Sequence, residues 1–142
     1  MIGFESKEVE MPDLDLKEIC IWLEEIAANY NRRIGNLNYL FCNDEEILRV
    51  NRQFLQHDYF TDIITFDYSH KDKVAGDIFI SLETVKSNSE DMKTDYNTEL
   101  LRVIAHGLLH LCGINDKAPG EREIMEEKEN ESLVLWNKIT SR

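Results

Sequence analysis

Residues 99–116 read ELLRVIAHGLLHLCGIND. The pattern predicts a helix from about Asn97 to Cys112, made apolar on most sides by Leu100, Leu101, Val103, Ile104, Leu108, Leu109 and Leu111. His106 and His110 stand at i and i+4, one turn apart on one face, so their imidazoles can converge on a single point. Within such an apolar helix both rings require polar partners. Gly113 is a natural left-handed terminator, and the turn it allows would bring Asp116 back to supply a third bond. Three protein ligands with a fourth position open is the arrangement of catalytic zinc, whereas structural zinc has four closed ligands rich in cysteine. The stretch therefore predicts a metalloenzyme with His106, His110 and Asp116 as ligands.

Outward from this helix, the remaining elements follow from periodicity and caps. Ile2 to Ser6 reads as a short strand. Pro12-Asp13 opens a helix with Leu14, Leu16, Ile19, Trp22 and Ile26 on its apolar face, running to about Tyr30. From Ile34 to Cys42, Leu37, Tyr39 and Phe41 alternate with Asn36, Asn38 and Leu40, the mark of a half-buried strand. Asn43 caps a helix whose inner face carries Ile47, Val50 and Phe54, ending near Leu55. Thr61 to Phe66 and Gly76 to Ser81 read as two further strands joined through the polar stretch from Tyr68 to Lys73. A short helix around Glu83 to Ser87 precedes the histidine helix, and a last helix opens at Pro119, with Ile124, Leu133, Trp136 and Ile139 as docking contacts. Intermixed strands and helices predict the α/β (α+β) class, with one sheet of about four strands covered by helices.

The chain has 142 residues, 42% hydrophobic and 31% charged, which suits one domain spanning residues 1–142. No apolar run approaches a membrane span, and Met1 to Glu10 lacks the basic start and apolar core of a signal peptide, so a cytoplasmic protein is expected. Cys20, Cys42 and Cys112 are widely and irregularly spaced, which predicts small buried hydrophobes and no disulfides. The formal net charge is -12, from 28 acidic against 16 basic residues. That balance argues against broad capture of nucleic acid, which relies on lysines and arginines neutralising phosphates. It suits a basic protein partner.

Zinc proteases of the HExxH type place a general base beside the first histidine. Here that position is Gly107, whose structural reading is a packing notch, so peptide hydrolysis by the usual route is disfavoured. The run HGLLHLCGIND, with HDYFTDIITF at 57–66 and GDI at 76–78, resembles the YbeY family of bacterial rRNA-maturation endoribonucleases. The likeness covers most of the chain from about Leu37 onward. It implies an α/β domain with a small mixed sheet, one zinc ion near the end of a central helix, and hydrolytic cleavage of single-stranded RNA in ribosome maturation and quality control. Two departures stand out. Most of the family has a third histidine where this chain has Asp116, a change that keeps a zinc-competent donor but favours other divalent metals somewhat more. Many relatives carry an arginine thought to assist catalysis where this chain has Leu55, and that role does not carry over to leucine.

Arg52 and His57 lie close enough in sequence to substitute as phosphate contacts, though plain surface solvation serves them equally well. Arg102 and Lys117 flank the motif and are substrate-binding candidates on the same terms. Asp58, Thr61 and Asp62 read as turn chemistry, with Asp58 the candidate for accepting an imidazole N–H behind the ligands. The expected mechanism is phosphodiester hydrolysis by metal-activated water, with no side-chain base named. The expected partners are an rRNA precursor and the ribosome or a basic ribosomal protein that presents it. Two alternatives are a zinc metallopeptidase, and a non-enzymatic ribosome-assembly factor whose metal is a structural staple.

Overall fold

A computed structural model describes residues 1–56 and 61–142. Four strands, β1 (Ile2–Ser6), β2 (Arg33–Cys42), β3 (Ile63–Asp67) and β4 (Lys73–Ser81), are interspersed with helices α1 (Leu16–Ala28), α2 (Asp44–Phe54), α3 (Leu82–Met92), α4 (Tyr96–Leu111) and α5 (Glu121–Thr140). They form one mixed sheet in the order β1-β2-β4-β3. β1 and β4 flank β2 in parallel, and β3 runs antiparallel along β4. Parallel neighbours need long crossovers. Helix α1 makes the first, and α2 with β3 occupies the second.

The period of two along each strand divides the molecule into two apolar layers. Leu37, Tyr39 and Phe41 of β2 join Val74, Ile78 and Ile80 of β4 in the main core, packed with Ile19, Trp22 and Leu23 of α1 and Leu100, Ile104 and Leu108 of α4. The intervening residues face the other way. There Cys42 and Ile64 meet Ile47 and Val50 of α2, with Leu40, Phe66 and Phe79 against them. Two buried side-chain bonds tie α1 to α5 and α4 to the sheet. Trp22 Nε1–H donates to the Ser132 carbonyl at 2.7 Å, and the Tyr39 hydroxyl donates to the Ile104 carbonyl at 2.8 Å, fixing the middle of α4 to the sheet.

Several boundaries differ from the expected ones. α1 starts at Leu16 because Asp15 is its cap, accepting from the Glu18 N–H at 3.2 Å. β4 begins at Lys73, since a tight hairpin with Lys71 at φ 57° and a His70–Lys73 bridge extends the pairing through residues read as a connection. α3 runs on to Met92, where Lys93 closes it in the left-handed conformation. α5 begins at Glu121 after Gly120, leaving Pro119 in the preceding turn. Its inner stripe is Met125, Glu129, Ser132 and Ile139, while Ile124, one helical step away, is 48% exposed. Phe54 also departs from expectation. At the end of α2 it is 57% exposed and edge-on to Phe66. The three cysteines are free, Cys42 and Cys112 buried and Cys20 half-buried. Among the described residues no helix is long and apolar enough to cross a membrane.

Candidate metal centre

Helix α4 carries Glu99, Arg102, His106 and His110 along one stripe, three and four residues apart, while its other faces enter the core. Its first turn is held by Asp95, which accepts from the Thr98 N–H at 3.1 Å. Gly107 faces the sheet. A Cβ there would lie 3.0 Å from Ile63 Cδ1, 3.0 Å from Ile78 Cδ1 and 3.1 Å from Ile78 Cγ2, so the helix backbone sits closer to β3 and β4 than a side chain permits. The notch holds the histidine stripe at a fixed height above the sheet. It also means that the position used for a protease base points into apolar packing.

The end of α4 is a Schellman turn. Gly113 adopts φ 98°, its N–H donates to the His110 carbonyl at 3.0 Å, and the Ile114 N–H donates to the Leu109 carbonyl at 3.0 Å. The reversal delivers Asp116 to the histidine pair. Asp116 Oδ2 is 3.3 Å from His110 Nε2 and 3.5 Å from His106 Nε2, and the two rings stand 4.5 Å apart at 85°. Ligands at about 2.0–2.1 Å from a tetrahedral ion are themselves about 3.3–3.4 Å apart. The His-His-Asp cluster, all within 4.8 Å, thus fits one divalent ion. The side chains are 19%, 24% and 24% exposed for His106, His110 and Asp116, which leaves one side of the cluster open to solvent.

A fourth residue escaped the sequence reading. Glu129 of α5 approaches His106 Nδ1 to 2.6 Å, and since a carboxylate only accepts, the ring Nδ1–H is the donor. The other Glu129 oxygen accepts from Arg102 at 3.0 Å, and Arg102 also donates to Asn130 at 2.8 Å. Burial would raise the Glu129 carboxyl, but the hydrogen bonds from His106 and Arg102 hold it below the usual carboxylate value. For His106, burial opposes the charged form, and the Glu129 hydrogen bond with the charges of Glu129, Asp116 and Asp62 outweighs it, raising the ring above the ordinary histidine value. His110 is lowered, by burial and by the neighbouring His106. Cys112 stands beside the cluster in sequence, yet burial pushes its thiol up to about 11, and it is not part of the donor set.

Of the other candidates, Arg102 is engaged with Glu129 and Asn130. Lys117 is exposed directly after Asp116. Arg52 is exposed on α2 and lines, with Lys7, Asn43, Glu46 and Arg49, a cavity of about 680 Å³ that none of the cluster residues lines. Leu55 is the C-cap of α2, 37% exposed. His57 and Asp58 lie outside the described residues. The Thr61 hydroxyl stands 3.4 Å from both Asp62 Oδ1 and the Ile63 carbonyl oxygen, contacts with oxygens and not with the backbone N–H groups of the turn reading.

Comparison with known proteins sets this geometry in a family. A model described as "Endoribonuclease YbeY" matches residues 1–137. A protein of that name from Phocaeicola vulgatus is 58% identical over 135 residues, covering 95% of this chain and 98% of the relative. Its counterpart in Bacteroides fragilis is 58% identical over 134 residues, with 94% and 96% covered. One from Porphyromonas gingivalis is 45% identical, with 94% and 89% covered. Among solved structures, the solution structure of TM1509 from Thermotoga maritima matches with a TM-score of 0.67 at 28% identity, covering 99% of this chain and 93% of that one.

Proposed function

This chain belongs to the endoribonuclease YbeY family, and we propose that residues 1–142 act as a single metal-dependent endoribonuclease domain in the cytoplasm. Its substrate is single-stranded RNA, and its work is rRNA maturation and ribosome quality control. The observation that carries the reading is the convergence of His106, His110 and Asp116 on one ion-sized point at an accessible helix end. We take the ion to be one zinc; an aspartate in the set also admits harder divalent metals. When bound, such an ion supplies Lewis acidity, polarising a phosphoryl oxygen and lowering the pKa of a water.

The chain's own residues do the rest. Asp116 contributes a negative charge that a third histidine would not, which offsets part of the ion's charge. Gly113 reverses the backbone so that this carboxylate reaches the pair. Lys117, exposed beside Asp116, is in this reading a cation that would touch a substrate phosphate. The packing of Gly107 against Ile63 and Ile78 leaves no room for a protease-type base, which counts against peptide hydrolysis. With a net charge of -12 the chain does not gather RNA by long-range attraction, so the ribosome or a basic ribosomal protein presents the substrate.

The test is cleavage of a single-stranded rRNA-precursor segment and its duplex control by zinc-loaded protein, with His110→Ala and a chelator-treated sample alongside. Cleavage of the single strand alone, lost in both controls, supports the reading. Cleavage that survives His110→Ala overturns it, as does turnover of casein without RNA cleavage. A metal-free form that still supports ribosome assembly would favour the structural-staple alternative.

A further inference from the structure

We propose that Glu129 and Arg102 are positioning residues for the metal centre: Arg102 orients Glu129, and Glu129 fixes His106 in the tautomer and rotamer that turn its Nε2 lone pair toward His110 and Asp116. The inference rests on the metal reading above and concerns a helix that supplies none of the three ligands. Glu129 is 9% exposed on the inner stripe of α5, between Met125 and Ser132. A carboxylate in such a place is costly unless both oxygens are satisfied. They are, and by different partners, His106 Nδ1–H at 2.6 Å and Arg102 at 3.0 Å.

The geometry is directional. A neutral imidazole carries one N–H, and the hydrogen bond at one nitrogen decides which nitrogen stays free to bind a metal. With Nδ1–H committed to Glu129, Nε2 is the free nitrogen, and Nε2 is the atom 3.5 Å from Asp116 Oδ2. His110 has a different support, a hydrogen bond to the Ile114 backbone, while its Nε2 faces Asp116 Oδ2 at 3.3 Å. Arg102 sits one turn before His106 on the same stripe. Its second guanidinium branch is held by Asn130, next to Glu129 on α5, so the Arg102 fork cannot turn without releasing the carboxylate. Arg102 thereby gains a role different from the phosphate contact expected from sequence. Hydrogen-bond partners behind metal-bound histidines typically contribute about 10- to 100-fold in metal affinity.

Zinc titration of metal-free protein at pH 8 in competition with a chromophoric chelator tests the relay, using wild type, Glu129→Gln, Glu129→Ala, Arg102→Met, Arg102→Lys, His110→Ala and the exposed control Glu126→Gln. Glu129→Gln keeps size and an acceptor oxygen, so it folds. Zinc affinity is expected to fall about 10- to 100-fold in Glu129→Gln and Arg102→Met, to fall less in Arg102→Lys, and to stay at wild type in Glu126→Gln. Nitrogen-15 spectra of labelled histidine add a readout that mere helix docking would not move. His106 is expected as the Nδ1–H tautomer in wild type and as a mixture in Glu129→Ala. If wild type binds zinc through His110 while Glu129→Ala binds within threefold of it with the His106 tautomer unchanged, the relay is overturned and the metal reading stands. If wild type binds no zinc, or His110→Ala binds as tightly, the metal reading falls and the relay with it.

Discussion

Substituting Gly107 tests whether sterics at this one position separate the chain from zinc proteases. Alanine brings two opposed effects. In a helix interior it is favoured over glycine by about 0.8–1 kcal/mol. Against that, its Cβ would meet three isoleucine carbons at 3.0, 3.0 and 3.1 Å, where carbon pairs settle at about 3.5–4.0 Å. The two Cδ1 atoms can swing aside, but Cγ2 of Ile78 sits on a stiff β-branched Cβ. Overpacking of this kind costs about 1–3 kcal/mol, so Gly107→Ala should lose a net of up to ~2 kcal/mol. For a chain of this size the upper figure is a fall in Tm of roughly 7 °C. Gly107→Glu, which restores the HExxH spelling, adds a carboxylate buried with no partner. A shift of about 3–5 pKa units, at ~1.36 kcal/mol each, adds about 4–7 kcal/mol. Together these approach the whole stability of an ordinary domain, about 5–15 kcal/mol. Thermal melts followed by circular dichroism, with a casein assay on the soluble fraction, read both effects. A Gly107→Ala protein that melts above wild type, or a folded Gly107→Glu protein with zinc-dependent peptidase activity, refutes the reasoning.

Other expectations follow from the same contacts. Asp116→Ala should weaken zinc binding by about tenfold or more while Asp116→His retains it; equal chelator-competition curves for wild type and Asp116→Ala would remove Asp116 from the ligand set. Tyr39→Phe should lose about 0.5–1.5 kcal/mol in urea denaturation, the worth of one buried hydrogen bond to the Ile104 carbonyl, and no change in midpoint would show that this bond does not anchor α4. Glu46 is held below the usual carboxylate value by the Arg49 hydrogen bond, with burial opposing and Lys7 assisting. Its contribution to stability is therefore present above the unfolded glutamate pKa of about 4.3 and lost as pH falls through the lower folded value. Glu46→Gln should narrow the gap between denaturation midpoints at pH 7 and pH 3, and an unchanged gap would show that the pair contributes nothing.

How much the sequence disclosed depends on whether a pattern was local. The alternation of Leu37, Tyr39 and Phe41 and the Gly113 terminator announce their structures within a few residues, and β2 and the end of α4 form as those signals predict. The meeting of His106, His110 and Asp116 follows from helix pitch and one turn. Boundaries set by side-chain caps against competing signals shifted, as at Asp15 against Pro12 and at Gly120 against Pro119. Glu129 was hidden for a different reason. Helix α5 carries Glu121, Glu123, Glu126, Glu127, Glu129 and Glu131, and nothing local marks one of them. The signal is its phase. Only with Met125, Ser132 and Ile139 taken as the docking stripe, and Ile124 left outside it, does a single glutamate fall on the buried face.

The Schellman turn that brings Asp116 home makes the ligand set short-range: all three donors lie between residues 106 and 116. Closing so short a loop costs little entropy, so an unfolded chain would retain part of whatever affinity the folded cluster has for an ion. An ion held by this set would then protect the fold by less than ligand concentration and folded-state affinity alone would give, because the denatured state would compete.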